Sequence, residues 1–191
     1  MRNRSGALIE GRLRHAFTRA RTIVEGLTDD EFFWEPVEGC WSIRPHAEVP
    51  DEYGVGVGDW RIEFLMPPPE PPPMTTIGWR LVHLAASTDT YRSFGFEERP
   101  EDLRLMQIPG TAAEAVEWLE QAHNRFIDAV ALLAPKAFDE LRPTHWGGRL
   151  PLSSIIGVIE LEHIHHGAEI SLLRDLHRGR AQILVWPPPP R

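Results

Sequence analysis

Within VIELEHIHHGAEISLLRDL, Val158 to Leu176, four titratable side chains fall in five positions: Glu162, His163, His165 and His166. Glu160 and Glu169 flank them. Imidazole nitrogen and carboxylate oxygen are the donors of catalytic zinc sites. A Glu and a His four residues apart on a helix point two such donors at one place, as metal sites in helical bundles do. On a helical wheel with Ile155 at 0° and about 100° per residue, Val158, Ile159, Ile170, Leu172, Leu173 and Leu176 form an apolar arc centred a little below 0°. Glu162 at about 340° and His166 at about 20° lie inside it, and so do His165 and Glu169. His163, at about 80°, falls at its edge beside Gly167 and Arg174. A carboxylate buried without a partner is costly, so Glu162 needs compensation. Two readings stand side by side. One is a Glu162–His166 pair in the core, or a helix turned so that these residues meet water. The other is a metal site completed by a third ligand from another helix.

The other histidines are His15, His46, His83, His123, His145 and His177. His83 is the best third ligand. It sits in TTIGWRLVHLAAS on a face with Trp79, Ala86 and Thr90, whose small members leave room for an ion and its ligand. A satisfied core histidine is the alternative.

These residues need helices to hold them. Ile9, Leu13, Ala16, Ala20, Val24 and Leu27 recur every three or four residues and predict a helix over 5–26. Thr28 with Glu31 is a capping-box pattern that opens a short turn. A second long helix is expected over 75–93, starting at Thr75 or Thr76. A third is expected over 111–134, opened by Thr111 and Glu114 and ended by Pro135. The fourth is expected over 153–177, with Gly179 as its stop. The fold class is therefore all-α, a four-helix bundle in one domain over residues 1–191. The connection over 34–74 is long and rich in Trp and Pro. Its prolines in MPPPEPPP force an extended path, and Trp34, Trp41 and Trp60 predict that it packs on the helices as an ordered crossover. The Pro-rich tail, 181–191, reads as a short strand or a clasp.

At this point the residues resemble a known family. TTIGWRLVHLAAS together with ELEHIHHGAEISLLRDL is similar to the DinB-like superfamily, and most to its mycothiol-dependent maleylpyruvate isomerase N-terminal branch. That resemblance implies a four-helix bundle whose metal is held by one His on the second helix and two residues four apart on the last. His83, Glu162 and His166 match those positions, and LLRD, Leu172 to Asp175, matches the ending. The isomerase itself carries a second domain after the bundle, which this sequence to Arg191 lacks, so maleylpyruvate is not the expected substrate.

Two imidazoles and a carboxylate fit zinc first, and nickel or iron as well. The resemblance implies a low-molecular-weight thiol as cofactor. Mycothiol is the first choice for a chain with nineteen Arg and the single Lys136, a GC-rich coding bias, ahead of bacillithiol or glutathione. The expected activity is a thiol-dependent S-transferase or isomerase acting on a small electrophile. The alternative is a non-catalytic metal-binding bundle, a sensor or sequestering protein. His165 and Glu169 are candidates to orient a ligand or bind substrate, against a solvated helix face. Trp79 and Trp146 are candidates for the pocket mouth, against plain core. No general base stands out. Formal net charge is −8 over 191 residues with no basic stripe, which argues against a nucleic-acid partner. No apolar run is long enough for a membrane span. The charged N-terminus and the single Cys40 point to the cytoplasm. The oligomeric state is open between monomer and homodimer.

Overall fold

The computed structural model describes residues 4–97 and 103–183. It is mostly helical. Four long helices dominate: α1 (Arg4–Val24), α3 (Ile77–Phe96), α4 (Ala112–Ala131) and α5 (Leu152–Ile183), with α2 (Asp29–Phe32) a single turn. α1 packs on α5 and α4, and α3 packs on α4 and α5. No described helix is long and apolar enough to cross a membrane.

Side-chain caps set the helix starts. Thr76 Oγ1 accepts from Trp79 N at 3.2 Å, which begins α3. The Thr28–Glu31 box is closed in both directions. At α4 only half of the box forms: Thr111 Oγ1 accepts from Glu114 N, but the Glu114 carboxylate turns to Gly110 N at 3.1 Å. Gly110 is needed there, because a Cβ would lie 2.0 Å from Trp60 Nε1. α5 does not stop near Gly179 as the sequence suggests. Gly179 is not in the left-handed conformation a glycine stop uses, and the helix runs on to Ile183. Arg178 and Arg180, on either side of it, pair with Glu31 and Asp30. Of the tail, Leu184 to Arg191 lie outside the described residues.

The segment over 34–74 contains a small antiparallel sheet. β1 (Ile43–Pro45) and β2 (Gly54–Val55) flank β3 (Trp60–Glu63), with Ile43 opposite Ile62 and both side chains in the core. Trp34 meets His177 edge-on, Trp60 stacks on Phe33, and Trp41 stacks on Trp79. A second hairpin, β4 (Leu141–Pro143) and β5 (Arg149–Pro151), precedes α5.

The buried stripe of α5 is Leu152, Ile155, Ile156, Ile159, His163, Gly167, Ile170, Leu173, Arg174 and His177. On the same wheel it centres near 60°, not just below 0°. Leu172, which helped set the expected arc, is 59% exposed, and Val158 and Leu176 are only partly covered. Two corrections follow. His163 lies at the centre of the buried face rather than its edge. His165, expected inside, is exposed. The shift arises because the true stripe contains His163, Arg174 and His177, each polar but supplied with partners, so hydrophobicity does not mark it. Glu162 and His166 therefore sit on the flank of the stripe, along the seam with α3.

Candidate metal centre

α3 and α5 run antiparallel, so that Arg80 meets Glu169, His83 meets Glu162, and Gly95 meets Leu152. In the middle of the seam His83 Nε2 and His166 Nε2 each lie 3.3 Å from Glu162 Oε2. All three ligand atoms lie within 4.8 Å of one another. Charge-assisted hydrogen bonds are shorter, about 2.7–2.9 Å. By contrast, bonds of about 2.0–2.1 Å at a tetrahedral angle set neighbouring ligand atoms about 3.3–3.4 Å apart. The residues present thus fit a divalent ion with nitrogen and oxygen ligands. Hydrogen bonds donated by the His166 and His83 rings hold the Glu162 carboxyl well below the usual carboxylate range, so it is anionic; an ion would take the place of those ring protons. Burial lowers the His83 pKa, leaving a neutral imidazole with a lone pair to give. All three side chains keep some exposure, so the group has an open side.

Neighbouring residues fix these rings. Trp79, which is buried, stacks on His83 at 5.1 Å and 13°, and its Nε1 donates to Glu63 O at 2.6 Å. Trp79 therefore backs the His83 ring rather than lining a mouth. Trp146 is exposed on the β4–β5 turn and touches Tyr91. His166 Nδ1 lies 2.7 Å from Glu169 Oε2, which also accepts from Arg80 Nη1. With both donors converging on one carboxylate oxygen, the network assigns the proton to Nδ1 and the lone pair to Nε2, facing Glu162 and His83. Burial alone would raise the Glu169 pKa, but the bond from His166 and the charge of Arg80 outweigh it and lower it. His165 Nε2 lies 3.2 Å from the other Glu169 oxygen. His165, His166 and Glu169 thus form a second group of ligand atoms. A cation is already there: Arg80 Nη1 bonds Glu169 and lies 3.1 Å from His166 Nδ1.

One residue along α5 the chemistry changes. His163 Nδ1 donates to Ile159 O at 2.8 Å, so its Nε2 accepts from His123 Nε2, also at 2.8 Å. His123 lies flat on Phe17, ring centroids 3.9 Å apart. Both histidines are 2% exposed. Burial pushes His163 down to about 4 and His123 to about 2, so both are neutral. Further along, Arg174 donates to both oxygens of Glu31 and to the carbonyls of Ile23 and Glu25. The arginine of LLRD is thus a clamp between α5, α2 and the end of α1.

The sequence reading did not single out Arg80, His123 or Tyr91. For His123 a signal existed: it lies four residues after Leu119 and three before Phe126, within the expected α4 stripe. For Arg80 there was none, since its partners are 86 and 89 residues away. No curated protein matches the chain. Residues 12–170 match a family model, the one described as the DinB superfamily.

Proposed function

The chain belongs to the DinB superfamily, and from that membership we propose that it is a divalent-metal-dependent enzyme that uses a small thiol to attack an electrophile. His83, Glu162 and His166 hold the ion, with zinc first and nickel or iron as alternatives. The chain is read as one DinB-type four-helix-bundle domain, with 34–74 as its long crossover, at work in the cytoplasm with small-molecule partners only. The observation that supports this most is the pair of 3.3 Å separations around Glu162 Oε2, together with the open side of the group.

The bound ion supplies positive charge that lowers the pKa of a thiol brought to it. Glu162 offsets part of that charge. Glu169 and Arg80 keep His166 in the tautomer that offers Nε2, and Trp79 keeps the His83 ring in plane. The protein's own thiol does not take part: Cys40 is buried, its Sγ donates to Val37 O, and burial pushes its pKa up. The nucleophile therefore comes from solution, with mycothiol the thiol proposed, in an S-transferase or maleylpyruvate-isomerase-like reaction.

The test has two steps. Mass-spectrometric metal analysis of freshly purified protein should give about one divalent ion per chain, lost on Glu162→Gln. Metal-loaded protein should then speed conjugation of mycothiol to monochlorobimane, and stripped protein should not. Full metal content without turnover supports a sensor or sequestering protein instead. No metal overturns both.

A further inference from the structure

We propose that the outer face of α1 and α5 is a docking surface for a second copy of this chain. The two helices run parallel: Arg12 Nε lies 2.9 Å from Glu160 Oε1, and further along Arg174 reaches the carbonyl of Ile23. The side of this pair turned away from the core is apolar. Leu8 on α1 and Leu161, Ile164 and Leu172 on α5 are each more than half exposed. On the wheel used above the three α5 residues fall at about 180–260°, opposite the buried stripe. A groove of about 450 Å³ between the helices is bordered by Leu8, Gly11 and Ile164. One exposed leucine is ordinary, but four large apolar side chains on one face mark an interaction surface.

Two glycines point the same way. Gly11 and Gly157 lie inside these helices, and a Cβ at either would meet nothing within 4 Å. Gly78, Gly95 and Gly167 by contrast each face a side chain that a Cβ would touch. Glycine weakens a helix interior relative to alanine. Among the described residues nothing in the packing of the chain on itself offsets that loss at Gly11 and Gly157. Close approach of a second chain does.

Charge selects the pairing. Arg12 and Arg19 stand on the α1 part of this face, Glu160 and Asp175 on the α5 part. Laying α1 on its own copy sets like charges together, whereas laying α1 on the partner's α5 sets arginines beside carboxylates. A two-fold axis parallel to the helices gives the second arrangement and keeps every residue at its own height. Leu8 stands one turn before Arg12, and Gly157 one turn before Glu160, so the two share a level. Gly11 and Leu161 flank the Arg12–Glu160 bridge and share the next. Each copy thus brings Leu8 and Leu161 to the partner's Gly157 and the partner's Gly11. The 21 residues of α1 span about 30 Å, and a face two helices wide offers roughly 600 Å² per copy, about 1,200 Å² together, the lower end of specific interfaces.

Sedimentation velocity of the full-length protein over a dilution series tests this. Wild type should be a dimer that dissociates on dilution. Gly157→Gln and Leu161→Glu should each raise the dimer dissociation constant at least about tenfold by clash or by desolvated charge. Gly157→Gln should unfold at or above the wild-type temperature, because its side chain has room in the single chain and favours helix, so loss of the dimer there is not loss of the fold. Orientation is read by disulfide trapping, in which the buried Cys40 takes no part. Leu8→Cys chains mixed with Gly157→Cys chains should cross-link under mild oxidation, and Leu8→Cys chains alone should not. A wild-type monomer at every concentration overturns the proposal, as does a dimer indifferent to Gly157→Gln. Cross-linking of Leu8→Cys with itself places α1 on α1 and overturns the pairing.

Discussion

Glu162 and His163 are consecutive on α5, yet the Glu162 side chain is 33% exposed while His163 is 2% exposed. The difference lies in how their hydrogen-bonding capacity is used. His163 spends both ring nitrogens, one on Ile159 O and one on His123, inside a wall made by Phe17. Glu162 draws two imidazole nitrogens to one oxygen at separations too long for good hydrogen bonds and suited to a shared ion. Two polar groups on one helix can thus serve opposite ends. One closes the core; the other gathers donor atoms at its edge. Burial alone does not identify a functional residue. Donor atoms that converge, remain reachable and lack shorter bonds do.

The largest expected effect is on the open side. His166→Ala should abolish metal binding, and Glu162→Gln should weaken it by more than about 100-fold, since removing even an outer-shell partner typically costs 10–100-fold. Chelator competition reads both. The apo variants should keep their fold, because both side chains stand at the partly exposed edge of the core. A variant that keeps wild-type affinity would erase the contrast.

On the sealed side the sign reverses. His163→Leu leaves the His123 Nε2–H buried without an acceptor, and should cost about 1–3 kcal/mol in denaturant unfolding, with little change in metal affinity. His123→Leu with His163→Leu removes both partners, so the double variant should recover part of that loss. If the double variant is worse than the sum of its parts, the pair contributes more than mutual satisfaction.

Acid should act on the sealed pair as well. Unfolded histidine titrates near 6.5. The folded chain refuses those protons until far lower pH, about 4 for His163 and about 2 for His123. Stability is therefore complete above pH 6.5 and lost as pH falls below it, by up to about 1.4 kcal/mol per pH unit for each residue. His123→Phe should flatten that slope by about half in apo protein. The smallest effect is expected from Glu169→Gln, which leaves all three ligands but loosens the His166 tautomer. It should lower metal affinity by about tenfold, and isothermal titration decides.

Much of this could be read from the sequence, in places where the signal is local. Thr28, Thr76 and Thr111 mark helix starts because a cap acts within three residues. Glu162 and His166 point the same way because four residues make about one turn. What could not be read depends on distant partners. The α5 stripe was misplaced because His163, Arg174 and His177 are buried by groups at His123, Glu31 and Asp30, far along the chain. The exposed Leu172 then pulled the expected arc the wrong way. The sheet over 43–63 was missed because its strands run only two to four residues, too short to show alternation.

The Arg174 clamp also fixes an order of events in time. Its partners, the carbonyls of Ile23 and Glu25 and the carboxylate of Glu31, leave the ribosome long before it does. At about 5–20 residues per second, well over a hundred intervening residues take roughly 7–30 s to make. Through that interval α1 and α2 wait with an acidic side chain and open carbonyls facing water. Only a nascent chain that has released α5 can complete the hold on its first helix, so a message broken before that point leaves α1 with its α4 contacts alone and more open to proteolysis.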